Sequence, residues 1–269
     1  MSKSPLLRHP APEPGGRFQR VTPEDAGWTY VGFEAWDLAD GARIEAETGD
    51  REICVVMVAG RALVAAPGLP ETTIGERASP FDGDPWSLYV PARSRYRVVA
   101  QGACEVAICS APGTGAKPPR IVPPADVGRQ TRGAGSNVRH VRDILPDTSP
   151  HAESLLVVEV ITPGGNWSSY PSHKHDRDDP PRETLLEETY FHRMNPRQGY
   201  AVQRVYDDAR DLDETFTLRD RDVSLVPRGY HPVGAAHGYD LYYLNVMAGP
   251  KRLWKFHNDP DHAWLFGRT

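Results

Sequence analysis

Residues 170–176 read Tyr170-Pro-Ser-His173-Lys-His175-Asp176, and residues 222–231 read Asp222-Val-Ser-Leu-Val-Pro227-Arg-Gly229-Tyr-His231. A strand sends successive side chains to opposite faces. His173 and His175 therefore project from one face and can offer two imidazoles to one metal ion, while Lys174 points away. A His-x-His pair is a weak signal alone, because solvated loop histidines produce it too. The second stretch is a strand that stops at a Pro-x-Gly turn, and the turn delivers one more histidine, His231. Between the two lies Leu186-Glu187-Glu188-Thr189-Tyr190-Phe191-His192. If Glu188 faces inward on that strand, so do Tyr190 and His192, and Glu187, Thr189 and Phe191 face the other way.

The flanking sequence has the same texture. SLLVVEVITP, LEETYFHRM, GYAVQRVY, ETFTLR, DVSLVPRGYHPV and DLYYLNVMAG are short β-branched or aromatic runs. Upstream, from Trp28 to about Ser110, YVGFEAWDL, ARIEAE, REICVVMVAGRALVAA, SLYVPA and EVAICSA repeat the pattern. Turn signals separate them, and no span sustains a 3.6-residue apolar period. With 24 Gly and 26 Pro in 269 residues, long helices are disfavoured and many short strands are favoured. The spacing suggests sandwiches or small barrels, so the fold class predicted is all-β. Residues 111–137, APGTGAKPPRIVPPADVGRQTRGAGSN, mark the clearest composition shift. The expected organisation is an N-terminal arm over 1–18, a first β domain over 19–112, a linker over 113–137, and a second β domain with a C-terminal tail over 138–269.

Composition excludes several classes. A net charge of −5 implies no basic surface for nucleic acid. The longest apolar stretch, Ile53 to Ala59, is far short of the roughly 20 residues that cross a bilayer, so no membrane partner is expected. The N-terminus lacks a signal-peptide apolar core. Cys54, Cys104 and Cys109 form neither a disulfide framework nor a Cys-x-x-Cys site, which fits buried thiols in a reducing cytoplasm. The ten histidines are uneven: after His9 none occurs until His140, and eight lie from His151 onward.

His-x-His, then Glu, then a Pro-x-Gly turn followed by His resembles the two-motif pattern of the cupin superfamily. In cupins such residues bind a divalent metal inside a small antiparallel jelly-roll barrel. Carried over, the resemblance implies His173, His175, Glu188 and His231 as metal ligands. The chain departs from the common pattern in two ways. The insert DRDDPPRETLL lengthens the gap from His175 to Glu188, and one residue instead of two separates Gly229 from His231. Glu187 stays a rival to Glu188 as third ligand.

HKHD, the insert, LEETYFHR, QRVYDDARDLDETFTLRDRDVSLVPRGYHPV and YDLYYLNVMAGPKRLWKFHNDPDHAW together resemble the 5-deoxy-glucuronate isomerases of myo-inositol catabolism, a two-domain cupin (bicupin) family. The resemblance implies aldose–ketose isomerisation of 5-deoxy-D-glucuronate to 5-dehydro-2-deoxy-D-gluconate. It also implies one divalent metal ion, with a ligand set that suits Zn, Mn, Fe, Co or Ni. No nicotinamide or flavin fingerprint is present, in keeping with a redox-neutral reaction. In the N-terminal half, Glu45 and Glu47 stand where a cupin places His-x-His. Arg95 follows Pro91 as His231 follows Pro227, so that half is expected to lack the metal site.

Isomerisation also needs a general base. By parity, Tyr190 and His192 are candidates, and Tyr243 with Asn245 form the more polar face of DLYYLNV. Tyr243 is a third catalytic candidate and Asn245 a substrate contact; packing in the core is the alternative for each. A substrate carboxylate calls for a cation, and Arg182, Arg204 and Lys251 are the candidates, each competing with a solvated surface role. His257 and His262 in the tail fit a loop across the barrel mouth or a subunit contact better than a second metal site, and His237 fits a solvated loop. Two further functions remain open: isomerisation of a related deoxy-ketouronate, and a cupin Fe(II) oxygenase. A non-catalytic sugar-binding bicupin is weakened by the intact ligand set. Assembly into a homo-oligomer is left open.

Overall fold

The structure, a computed structural model, describes residues 4–268; residues 1–3 of the expected arm, and Thr269, lie outside them. Among the described residues the one α-helix is the four-residue Pro23–Ala26, capped by Thr22. No helix is long and apolar enough to cross a membrane. Strands dominate, as the turn-rich composition predicts.

The chain forms two compact units. The first comprises residues 10–128 and 143–158. Its six-stranded sheet runs in the order Arg120–Val122, Ser87–Val90, Arg51–Ala59, Cys104–Pro112, Gly32–Leu38, Arg17–Val21. A four-stranded sheet of Arg43–Glu47, Arg95–Ala100, Ala62–Ala65 and Thr72–Ile74 accompanies it. The interior is apolar: Ile53, Val55, Met57, Leu88, Val90, Val98, Val106 and Ile108 belong to one buried cluster. On the opposite face of Arg51–Ala59, the fully buried Glu52 accepts hydrogen bonds from the Tyr89 hydroxyl at 2.7 Å and from the backbone N–H groups of Glu153, Ser154 and Leu155 at 2.8, 2.6 and 2.6 Å. A carboxylate so bonded is satisfied without leaving the core. All three cysteines are buried free thiols.

The second unit comprises described residues 4–9, 129–142 and 159–268. Glu187–Asn195 lies between Val223–Val226 and Asp240–Ala248 in a seven-stranded sheet. Trp167–Ser168, Val233–Ala235, Tyr200–Tyr206 and Asp213–Arg219 form a four-stranded sheet. His173–Lys174 pairs with His257–Asn258 as a separate two-stranded ribbon.

Two boundaries differ from the expected ones. Leu7 and Arg8 add an edge strand to the second unit, pairing with Ser224 and Val223. His9 bonds Asp222 at 2.8 Å through Nδ1, so the expected arm is divided between the units. The expected linker is likewise structured: Arg120–Val122 pairs with Ser87–Tyr89, and Gly128–Arg132 joins the seven-stranded sheet. These pairings are long-range, and local composition carries no trace of a distant edge that needs a partner.

Candidate metal centre

Three elements bring the ligand candidates together. The ribbon His173–Lys174 sets the His-x-His pair in register with the tail, His173 opposite Asn258 and Lys174 opposite His257. Glu188 sits near the start of the central strand, opposite Val226 on one side and Met247 on the other. Val226 leads into Pro227 and the turn. Gly229 there has φ +87°, and a Cβ would lie 2.4 Å from the Tyr206 carbonyl oxygen, so glycine is required. Asp176 ties the turn to the histidine strand by accepting the Gly229 N–H at 2.8 Å.

The side-chain nitrogens of His173, His175 and His231 all lie within 4.8 Å of one another. Glu188 Oε2 is 3.1 Å from His175 Nε2 and 3.2 Å from His231 Nε2. The far ring nitrogens are anchored: His175 Nδ1 bonds the Leu186 carbonyl at 3.0 Å, and His231 Nδ1 the Gly229 carbonyl at 2.8 Å. Carbonyls only accept, so both Nδ1 atoms carry a proton, and both Nε2 atoms point at Glu188, where a neutral ring would offer its lone pair to a metal. His231 Nε2 is buried without a hydrogen bond of good geometry, although a carboxylate oxygen stands 3.2 Å away. Metal bonds of about 2.0–2.2 Å place neighbouring ligand atoms about 3 Å apart, which is the spacing around Glu188. The donor set therefore fits a divalent cation. Glu187, also buried, belongs to the opposite face of the strand.

Protonation tendencies agree for His173, His231 and Glu188, and His175 is the exception. Burial, reinforced by the charges of His231 and His175 and then of Arg139 and Arg132, holds His173 well below the ordinary imidazole value. Burial also lowers His231, against the pull of Glu188. Burial would raise Glu188, but His231 and His175 outweigh it and keep the carboxylate ionised. His175 is raised, because the bond and charge of Glu188 overcome burial. Neutral imidazoles and an ionised carboxylate are the forms that bind metal.

A small cavity opens on this cluster, lined by His173 and Glu188 together with Arg132, Arg139, Val141, Val160, Ser169, Tyr190, Tyr243, Asn245 and Trp254. Strand parity thus put Tyr190, Tyr243 and Asn245 on the correct face. The Tyr190 hydroxyl lies 3.1 Å from Ser169 Oγ, and the two phenol rings are 4.8 Å apart. Burial pushes both phenols above their ordinary range and keeps them protonated. Asn245 Nδ2 donates to the Thr189 carbonyl at 3.3 Å. His192 shares the parity but lies deeper. Its ring stacks on Tyr190 at 6.0 Å, its Nε2 is 3.1 Å from Ser224 Oγ, and it does not line the cavity. Burial lowers it to about 3, so it stays neutral and is a weak base.

The three cations expected to meet a substrate carboxylate are elsewhere. Arg182 pairs with Asp179 in the exposed insert, Arg204 takes Asp213 through two bonds of 2.7 Å, and Lys251 pairs with Asp178 at 2.9 Å. Each already has a carboxylate partner on the surface. The arginines facing the cavity are Arg132 and Arg139, which sequence reading missed. The available signal was two arginines bracketing the Gly-rich turn Gly133–Val138. Lys174 points away as expected but is buried, with Nζ 2.5 Å from Asp208 and 3.2 Å from Asp176. The tail covers the histidine strand: Phe256 packs 4.6 Å from His173, and His262 lies 6.4 Å from the Tyr170 ring.

Comparison with known proteins gives a consistent result. A 5-deoxy-glucuronate isomerase of Geobacillus kaustophilus (strain HTA426) is 54% identical over 266 residues, covering 98% of this chain and 96% of that one. The same-named protein of Bacillus subtilis (strain 168) is 47% identical over 249 residues, 92% of each. The crystal structure of an IolB-like protein from Salmonella typhimurium LT2 superposes with a TM-score of 0.94 at 49% identity, covering 97% of this chain and 99% of that one. Oxalate decarboxylase of Lactobacillus farciminis matches with a TM-score of 0.68 at 15% identity, over 99% of this chain and 91% of that one, which shows a shared two-cupin fold alone. The KduI/IolB family model matches residues 6–265, and the chain belongs to that family.

Proposed function

We propose that the protein is a metal-dependent aldose–ketose isomerase converting 5-deoxy-D-glucuronate to 5-dehydro-2-deoxy-D-gluconate. The observation that carries this reading is the near-full-length similarity, at about half identity, to relatives bearing that isomerase name. The geometry supports it, because three imidazoles and a carboxylate converge beside a cavity walled by hydroxyl, amide and guanidinium groups.

The reaction moves one hydrogen from C2 to C1 and one proton from the C2 oxygen to the C1 oxygen. His173, His175, Glu188 and His231 would hold the ion, and three neutral ligands with one anion suit Zn, Mn, Fe, Co or Ni. Such an ion polarises a carbonyl and stabilises negative charge on its oxygen. The Tyr190 and Tyr243 hydroxyls supply donors toward the substrate oxygens, with Ser169 orienting Tyr190. Asn245 offers an amide from the same wall, and His192 supports the Tyr190 ring from below. In this reading the N-terminal barrel is structural, and the enzyme works in the cytoplasm on a small sugar acid.

The test is incubation of the purified protein with 5-deoxy-D-glucuronate and each of the five metals, followed by NMR, beside a 4-deoxy-5-ketouronate and under both air and argon. Ketose formation unaffected by argon is expected. Consumption of the ketouronate alone, or a requirement for oxygen, would overturn the assignment.

A further inference from the structure

Arg132 and Arg139 differ from most surface arginines of the chain. Arg17, Arg97, Arg120, Arg182, Arg193, Arg197, Arg204 and Arg228 each pair with a carboxylate. Among the described residues, Arg139 instead donates only to the carbonyls of Asn137 and Tyr170, at 3.1 and 3.2 Å. Arg132 donates to the Gln130 side chain at 3.1 Å and rests over the Trp254 ring at 5.5 Å. Both line the cavity that holds His173 and Glu188. Guanidinium groups that line a cavity and bond no carboxylate of the protein present a ready site for a planar, doubly accepting anion.

Resting on the isomerase reading, we propose that Arg132 and Arg139 form the subsite for the substrate carboxylate. The carboxylate is C6 and the reacting carbons are C1 and C2, so the anion must be held at the opposite end from the metal ligands, within the same cavity. The cavity encloses about 30 Å³, room for about two waters at most. Trp254 lines the same cavity, partly buried and in contact with the Arg132 guanidinium.

The test uses the metal-loaded full chain and the variants Arg132→Gln, Arg139→Gln and Arg139→Lys. Substrates are 5-deoxy-D-glucuronate and 5-deoxy-D-glucose, which carries a hydroxymethyl in place of the carboxylate. Each Gln variant should lower the ratio of the two kcat/KM values by about 10- to 100-fold, the range of a charge-assisted hydrogen bond. Metal content should be retained, and Arg139→Lys should fall between. Equal losses on both substrates, or none, would overturn the subsite. Calorimetric titration with D-gluconate, an acid with no carbonyl to isomerise, separates this proposal from the function it rests on. Its affinity should drop about tenfold or more in the Gln variants. Gluconate binding that is absent from the wild type or unchanged in the variants counts against the subsite. Intact gluconate discrimination without turnover of 5-deoxy-D-glucuronate would instead sink the isomerase reading alone.

Discussion

The strands Arg51–Ala59 and Glu187–Asn195 occupy the same place in their respective sheets, and their registers can be laid side by side. Ile53 pairs with Val90, the residue before Pro91, and Glu188 pairs with Val226, the residue before Pro227. From that anchor the inward positions read Ile53, Val55, Met57 in one barrel and Glu188, Tyr190, His192 in the other. On the next strand, Ile108 and Val106 stand opposite Val55 and Met57, while Asn245 and Tyr243 stand opposite Tyr190 and His192. The outward position before the anchor is glutamate in both, Glu52 and Glu187, and both are buried. One backbone plan thus carries an apolar filling in one barrel and a polar, metal-competent lining in the other. Full burial of each large aliphatic contributes about 1.5–3 kcal/mol. The polar set contributes less net stability and gains a reactive interior.

The largest effect should follow from breaking the anchor in the second barrel. Glu188→Gln is expected to lower kcat about 10⁴-fold, with loss of bound metal measured by atomic absorption. Glu187→Gln, on the opposite face, should retain metal and lose far less activity. The reverse order would mean that the inward carboxylate has been misassigned.

The next effect comes from grafting the difference onto the first barrel. Ile53→Glu places a carboxylate among Val55, Val90 and Ile108 with no imidazole to meet it. A buried, uncompensated charge should cost about 3–5 kcal/mol, read from urea unfolding. A variant as stable as the wild type, or one that binds a second equivalent of metal, would show that the two interiors differ less than their registers imply.

A smaller effect separates face from depth on the inward row. His192 falls to about 3 when buried, against about 6.5 unfolded. At pH above 6.5 both states are neutral and the shift contributes nothing. As pH falls from 6.5 toward 3, the unfolded chain takes up a proton that the native chain refuses. Stability then drops by up to roughly 1.4 kcal/mol per pH unit. Replacing His192 with Gln should flatten that acid limb between pH 6.5 and 5 and leave any neutral-pH inflection of kcat in place. An inflection near pH 6–7 that vanishes with the substitution would make His192 the base after all.

These contrasts show what was legible in the sequence. The candidate ligands and the cavity face could be read because each depends on local rules: parity for His173 and His175, a Pro-x-Gly turn for His231, and alternation for the shared face of Glu188, Tyr190, Tyr243 and Asn245. Depth could not be read. Parity gives His192 a face but not its layer, and that layer is set by Tyr190 and Ser224 packing over it. Nor could long-range pairing, which decides that Leu7–Arg8 completes the second sheet and that Arg132 and Arg139 turn toward the cavity. Both arginines bracket a turn whose glycines and serine imitate a linker.

The smallest expected effect concerns the cations that the sequence favoured. Arg182, Lys251 and Arg204 belong to exposed or half-exposed ion pairs, with Asp179, Asp178 and Asp213. Screened pairs of this kind contribute about 0–1 kcal/mol, because water already solvates both charges and ordering two long side chains costs entropy. Arg182→Ala and Lys251→Ala should therefore change unfolding free energy by less than about 1 kcal/mol and leave kcat/KM on the uronate within about threefold, under 0.7 kcal/mol of barrier. The insert and tail that carry these pairs flank the histidine strand, so the outcome has consequences for that strand too. A tenfold rise in KM with unchanged kcat in either variant would mean that the Asp178–Asp179 segment opens during catalysis and hands its cations to the substrate. The carboxylate would then be drawn toward the insert and away from Arg132 and Arg139, and the polar barrel would recruit its anion site from a loop instead of from its own strands.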